Sequence, residues 1–421
     1  MTSICIRNCI LDGKKTNIYL EDHIISEIGK PLEADRVIDA DGRIALPGMV
    51  NTHTHAAMTL LRGYADDMEL EPWLSEKIWP LEARLKPEHV YWGTRLACLE
   101  MIKTGTTAFH DMYFHMEEAA RAVADSGIRA VLGHGFIDLF NEDKREKEIQ
   151  STEKLRDHVR NMGNPRITMS VAPHAIYTVS DPGLEWCASF ARENDLLIHT
   201  HVSETEKERE DCKNSRGATP VRHMEKIGFL GPDVVAAHSV WIDEEEIDIF
   251  SRRGVKISHN PVSNMKLSVK GIMPYHSMRL AGLRPSLGTD GCASNNNLDM
   301  FETMKIAALL QKVMRDPTVL PHAEALSMAT EWGAEVLKLP CGSIKEGLEA
   351  DIILLDTNRP DMVPMHSPYS NIVYSTNGSC VSTVICRGKL VMDENKVEEE
   401  EEYILAEAKK TARSLVEEKE C

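Results

Sequence analysis

Aromatic residues make up only 5% of this 421-residue chain, so aliphatic side chains and methionine must fill whatever core it builds. No apolar run reaches the about 18 residues that a membrane-spanning helix needs. The opening "MTSICIRNCILDG" is broken early by charged and turn residues and does not read as a signal peptide. The ten cysteines are scattered with no C-x-x-C pair, which argues against a disulfide framework and fits a reducing cytoplasm. Basic residues are in deficit, 48 against 66 acidic, and the net charge is -18. With no local basic patch, that excludes nucleic acid and anionic membrane as partners and leaves a small-molecule ligand. No G-x-G-x-x-G follows an apolar run, so a dinucleotide fold loses support. Internal repeats are missing too, and "EEEEE" at Glu398–Glu402 is the one low-complexity run, read as a solvated helix start.

Hydrophobic residues at 42% suffice for one large domain, or one large and one small. Both chain ends look β-rich. "SICIRNCILDGKKTNIYLEDHIISEIG" breaks into short apolar segments at polar and Asp-Gly pairs, and "ADIILLDTN" and "VSTVICRGKLVMDENK" repeat that pattern late in the chain. The middle alternates short apolar strands with helical stretches such as Glu88–Lys103, with Pro87 ahead and Gly105 behind. Eight strand ends can be drawn there, in "ALPGMVNTHTH", "TTAFHDMY", "IRAVLGHG", "RITMSVAPHA", "LLIHTHVSE", "VVAAHSV", "VKISHNPVSN" and "RPSLGTDG". The expected fold is α/β, a TIM (β/α)8 barrel over residues 49–343. A composite β-sandwich domain with a C-terminal helix is expected from residues 1–48 and 344–421. An open doubly wound sheet is the alternative.

Each expected strand stops on a polar residue: His53 and His55, Asp111, His134, His174, His201, His238, His259 with Asn260, and Asp290. Seven of the 17 histidines fall at these ends. In a barrel of this type the C-terminal strand ends form the active-site face. Residues i and i+2 of a strand share a side, so His53 and His55 face one region. An H-x-H alone is weak, and "LLIHTHVSE" holds a second one, of which only His199 or His201 need be used. With Asp290 from the eighth strand, the set is imidazoles plus one carboxylate. That suits one divalent metal, Zn²⁺ before Fe²⁺ or Mn²⁺, with a position left for water. Such a metal lowers the pKa of its water from about 15.7 toward about 7. Asp290 then stands ready to take the water's proton, and His238 to orient the water.

"PGMVNTHTH", "HVSETE", "VAAHSV", "HNPVSNMKL" and "LGTDG" resemble the amidohydrolase superfamily. "EPWLSEKIWPLEARL" and "TMSVAPHAIYTVS" are more closely similar to its deaminases of 5'-methylthioadenosine, S-adenosylhomocysteine and 5'-deoxyadenosine. The resemblance spans nearly the whole chain. It implies one metal on His53, His55, His201 and Asp290. Binuclear members carry a bridging lysine at strand four, whereas "VAPHAIY" has none. It further implies that Glu204, three residues after His201, relays a proton to the purine ring. The competing reading of Glu204 is a solvated acid in "SETEKERED". By the same resemblance His174 contacts the purine or ribose, Glu82 the ribose hydroxyls, and the enzyme is a homo-oligomer, a tetramer among the forms.

The reaction so implied turns a 5'-substituted adenosine into the corresponding inosine and ammonia. Trp73, Trp79, Met58 and Met68 either wall an apolar 5' pocket or pack the core. One departure stands out. The third strand ends "GHGF", without the arginine a carboxylate tail would use, and Arg145 is a weak substitute. Hydrolysis of a guanine- or triazine-type ring is the rival activity, and a non-catalytic scaffold is the third reading. In Tyr403–Glu418, Ile404, Ala408, Ala412 and Leu415 form an apolar stripe that docks on its own subunit or a neighbour.

Overall fold

The computed structural model describes residues 2–397 and 400–417. Glu398 and Glu399 of the acidic run, and Glu418 of the C-terminal stretch, lie outside the described residues. Eight parallel strands run in sequence order: β1 (Met49–Thr54), β2 (Thr106–Tyr113), β3 (Arg129–Phe136), β4 (Ile167–Pro173), β5 (Leu197–Val202), β6 (Val234–His238), β7 (Lys256–His259) and β8 (Ser286–Leu287). Each pairs with the next. Nearly every residue of these strands is buried, as expected where a parallel sheet is covered by helices.

The ring closes between β8 and β1 through side chains as much as backbone. Thr52 Oγ1 meets Ser258 Oγ and Ser286 Oγ at 2.7 Å each and donates to the Leu287 carbonyl at 2.9 Å. Asn51 donates to Thr289 Oγ1 at 2.7 Å and accepts from the Thr289 amide at 3.0 Å. The Asp290 amide donates to the His53 carbonyl at 3.0 Å. The close approach depends on Gly288. A Cβ there would lie 2.5 Å from Asn260 Oδ1 and 2.8 Å from the Cβ of His53.

Strands from both chain ends form one nine-stranded sheet. The two halves join where Ile44–Pro47 runs antiparallel to Ile352–Leu355, with Leu46 opposite Ile353. The sheet returns on itself, since Ile24 bridges to Glu349. It thereby encloses its own core of Ile6, Ile18, Leu20, Ile25, Ile352, Leu354 and Ile385. Period-two alternation sends Ile353 and Leu355 the other way, into the main core shared with the barrel. A buried ion cluster ties the two parts together. Arg129, at the start of β3, reaches Asp351 at 2.7 Å and Glu349 at 2.5 Å.

The C-terminal helix Glu401–Glu417 lies along the barrel helix Pro87–Lys103 of the same chain. Lys103 pairs with Glu401 at 2.8 Å, and Trp92 meets Tyr403 edge-on at 5.5 Å. Its buried stripe is Ile404, Ala408, Thr411 and Leu415, with Thr411 inside where Ala412 was expected. Among the described residues no helix is long and apolar enough to cross a membrane.

Two outcomes follow from these contacts. Arg129→Met strands the buried Asp351 without its partner and lowers unfolding stability by about 3–5 kcal/mol in a denaturant titration. Gly288→Ala forces β7, β8 and β1 apart and costs about 1–3 kcal/mol on the same measurement.

Candidate functional site

The side chains that converge at the C-terminal end of the barrel come from strand ends, where each backbone direction is already fixed by its ladder. His53 Nε2 and His55 Nε2 each lie 3.3 Å from Asp290 Oδ1. His201 Nε2 lies 3.4 Å from His55 Nε2. The ligating atoms of His53, His201 and His238 fall within 4.8 Å of one another, as do those of His53, His55 and Asp290. Two donors bound about 2.1 Å from a tetrahedral zinc are separated by about 3.4 Å. The observed spacings are therefore those of one cation's coordination edges. His53 Nε2 is buried and lacks a hydrogen-bond partner, as a nitrogen reserved for a metal would.

The opposite nitrogen of each of the three imidazoles is occupied. His53 Nδ1 meets His199 Nε2 at 2.7 Å, and the Nδ1 atoms of His55 and His201 each lie 2.7 Å from the carbonyls of Met112 and His174. These bonds fix the tautomers and turn every Nε2 inward. Asp290 is braced likewise. Its Oδ2 accepts from Ser263 at 2.6 Å and Ser294 at 3.1 Å, and its Oδ1 from the Gly291 amide at 2.8 Å.

Burial, joined by repulsion among the ring cations, holds His201 well below its ordinary range, so its lone pair is free at neutral pH. Burial likewise takes His174 and His238 down to about 3. Burial alone would raise Asp290. The imidazoles of His53, His55 and His238 packed around it outweigh that and hold the carboxyl well below the usual range. Glu204 behaves in the opposite way. Burial, with Asp290 and Glu208 nearby, raises its carboxyl well above the usual range. Glu204 Oε1 lies 3.6 Å from His238 Nδ1. Its loop is pinned by Glu208, which accepts from the amides of Ser203 at 2.9 Å and Glu204 at 2.8 Å. Glu204 is thus a buried acid held in place, unlike the exposed Glu206 and Lys207 that follow it.

A cavity opens on this cluster and is lined by His55, Glu82, His174, His201, Glu204, His238 and Asp290. Trp73, Trp79 and Met58 line it as well, whereas Met68 packs against the main core. A second cavity shares Trp79, Glu82, Phe114, Ile137 and His174 with the first and reaches Lys144 and Lys147. Glu82 stands between the two, its carboxyl raised by burial against the opposing pull of Tyr113 and His55. Arg145 faces Glu142 at 3.6 Å and lines neither cavity.

Other strand-end residues serve elsewhere. Asp111 accepts from the Ala56 amide at 2.8 Å and so holds the turn after His55. His134 pairs with Glu148 at 2.6 Å in the second cavity. Ser263 and Asn264, which meets His238 Nδ1 at 2.8 Å, sit inside the "HNPVSN" string without having been picked out. Spacing carries a signal for that string but none for the Met112 carbonyl or the Glu208 brace.

Comparison with known proteins agrees with this geometry. Residues 44–391 match the model of the amidohydrolase family. The chain is 54% identical over 385 residues to a 5'-deoxyadenosine deaminase of Methanospirillum hungatei, covering 91% of this chain and 86% of the relative. It is 50% identical over 381 residues to a 5-methylthioadenosine/S-adenosylhomocysteine deaminase of Thermococcus sibiricus, covering 90% of each. The zinc-bound crystal structure of an adenosine deaminase from Xanthomonas campestris superposes with a TM-score of 0.93 at 31% identity, over 99% of this chain and 98% of that one. With the model match covering most of its length, and relatives at half identity over about 90% of it, the chain belongs to the amidohydrolase family.

Proposed function

We propose that this protein is a hydrolytic deaminase that converts 5'-substituted adenosines to the corresponding inosines and ammonia. The observation that carries the reading is Glu204, a buried carboxyl raised above its usual range and set beside His238 in the cavity that opens on the histidine–aspartate cluster. Attack at C6 of adenine must be matched by protonation at N1, and a carboxyl so placed supplies the proton. The names of the relatives at 54% and 50% identity support the same chemistry.

His53, His55, His201 and Asp290 are the residues that would hold one divalent cation, and three nitrogens with one carboxylate oxygen favour zinc. A cation bound there supplies a water activated at neutral pH. Asp290 takes one proton of that water, and His238 orients its oxygen toward C6. Glu204 gives its proton to N1, where it stays. Asp290 passes its proton to the amine, the C6–N bond breaks and ammonia leaves. The remaining hydroxyl proton returns to Glu204 as the C6 carbonyl forms, so both carboxyls end as they began. His174 keeps Nδ1 on Thr178 at 2.9 Å and offers Nε2 to the nucleoside. Glu82 accepts from the ribose hydroxyls.

The 5' group leads from Glu82 toward the second cavity. Trp79 and Phe114 suit a deoxy or methylthio group, and Lys144 and Lys147 suit the carboxylate of S-adenosylhomocysteine. The domain division at residues 48/49 and 343/344, a homo-oligomer and a reducing cytoplasm belong to the same reading. Among the described residues nine cysteines are free and buried, which agrees with the last.

The test is a panel of 5'-deoxyadenosine, methylthioadenosine, S-adenosylhomocysteine and adenosine, with guanine and a triazine beside them, followed by absorbance and ammonia release. The adenosines react, and exclusive turnover of guanine or triazine would overturn the reading. In that assay Glu204→Gln lowers kcat by about 10²-fold or more while the metal content stays at wild-type level. Replacing Lys144 and Lys147 together by alanine raises KM for S-adenosylhomocysteine about 2- to 5-fold, a size set by exposed charge pairs, and leaves methylthioadenosine unchanged.

A further inference from the structure

Strand β5 carries two histidines, and the proposed chemistry uses only His201. His199, two residues earlier and so on the same side of the strand, is wholly buried. Its Nε2 lies 2.7 Å from His53 Nδ1. Since His53 turns Nε2 toward the ligand cluster, its one ring proton must sit on Nδ1 and be donated. His199 Nε2 is then the acceptor, and the His199 proton sits on Nδ1. That Nδ1 has no hydrogen-bond partner among the described residues. The ring is held instead by stacking on His110, with centroids 3.7 Å apart and planes at 22°. His110 is anchored in turn, its Nε2 2.8 Å from Ser170 Oγ.

His55 and His201 give their Nδ1 protons to backbone carbonyls, which every sequence possesses. His53 alone depends on a side chain for that bond. An imidazole acceptor is also more basic than an amide oxygen, so it draws harder on the donor proton and leaves a more electron-rich Nε2 opposite. We infer that His199 is a positioning residue: it fixes the tautomer and ring orientation of His53, and through it the readiness of the whole ligand set. The inference rests on the proposed metal site but not on the identity of the substrate.

The experiment uses the full chain and measures zinc affinity by competition with a chromophoric chelator, with no nucleoside present. His199→Leu removes the acceptor and weakens zinc binding by about 10- to 100-fold. His199→Gln keeps an acceptor oxygen in similar reach and returns affinity to within about threefold of wild type. The visible spectrum of the cobalt-substituted protein shifts in the leucine variant and is restored in the glutamine variant. A wild-type affinity and spectrum in His199→Leu overturns the inference, and so does an equal loss in both variants, which marks a packing role. Should the leucine variant not fold, nitrogen-15 shifts of the wild-type imidazoles decide: protonation of His199 at Nδ1 supports the inference, and at Nε2 overturns it. A wild-type chain that binds no zinc brings down the metal-site reading itself, a result separate from either.

Discussion

Three imidazoles present the same nitrogen to one point because the opposite nitrogen of each is already committed. His53 is held by His199, and His55 and His201 by the carbonyls of Met112 and His174. Everything else at the barrel mouth serves that arrangement. The ladders set where the carbonyls lie, Gly288 lets β8 come close enough for Asp290 to join, and the serines hold its carboxylate at one angle. A donor set built this way would need little reorganisation to take a cation, which is the physical content of a preformed site.

Backbone strain collects at the same end of the barrel. Ser203, His238, Ser239 and Asp290 all adopt left-handed conformations, with φ of 50°, 69°, 50° and 63°. For residues other than glycine that conformation costs about 1–3 kcal/mol each. It re-aims the side chain just as the strand ends, so the chain leaves the ladder and the functional group swings over the cavity. The strong packing below, where nearly every strand residue is buried, offsets that cost.

Much of this was legible in the residues. Apolar strands alternating with helical stretches and strand-end histidines point to the barrel, and His53, His55, His201, His238 and Asp290 are brought within a few ångströms of each other. What escaped reading depends on contacts that no local pattern encodes. The Met112 carbonyl is one of 421 identical groups in the sequence. Glu208 looks like any acid in a charged run until its loop folds back on the Ser203 and Glu204 amides. Thr411 faces inward because the helix rotates to fit its neighbour, which propensity alone does not fix. The second cavity gathers residues from loops and from a helix, so Lys144 and Lys147 carry no spacing that ties them to Glu82.

The antiparallel pairing of Ile44–Pro47 with Ile352–Leu355 has a consequence for how the molecule is made. The short segment that leads into β1 touches an early strand where Ile10 lies beside Ile44, but its antiparallel neighbour comes from strands synthesised after the entire barrel. As the chain leaves the ribosome, the first histidines emerge early, yet the sheet that anchors their strand from behind is complete only near the end. Folding of this protein is therefore governed by a long-range closure, in which the last strands lock the first and loop-closure entropy sets the pace.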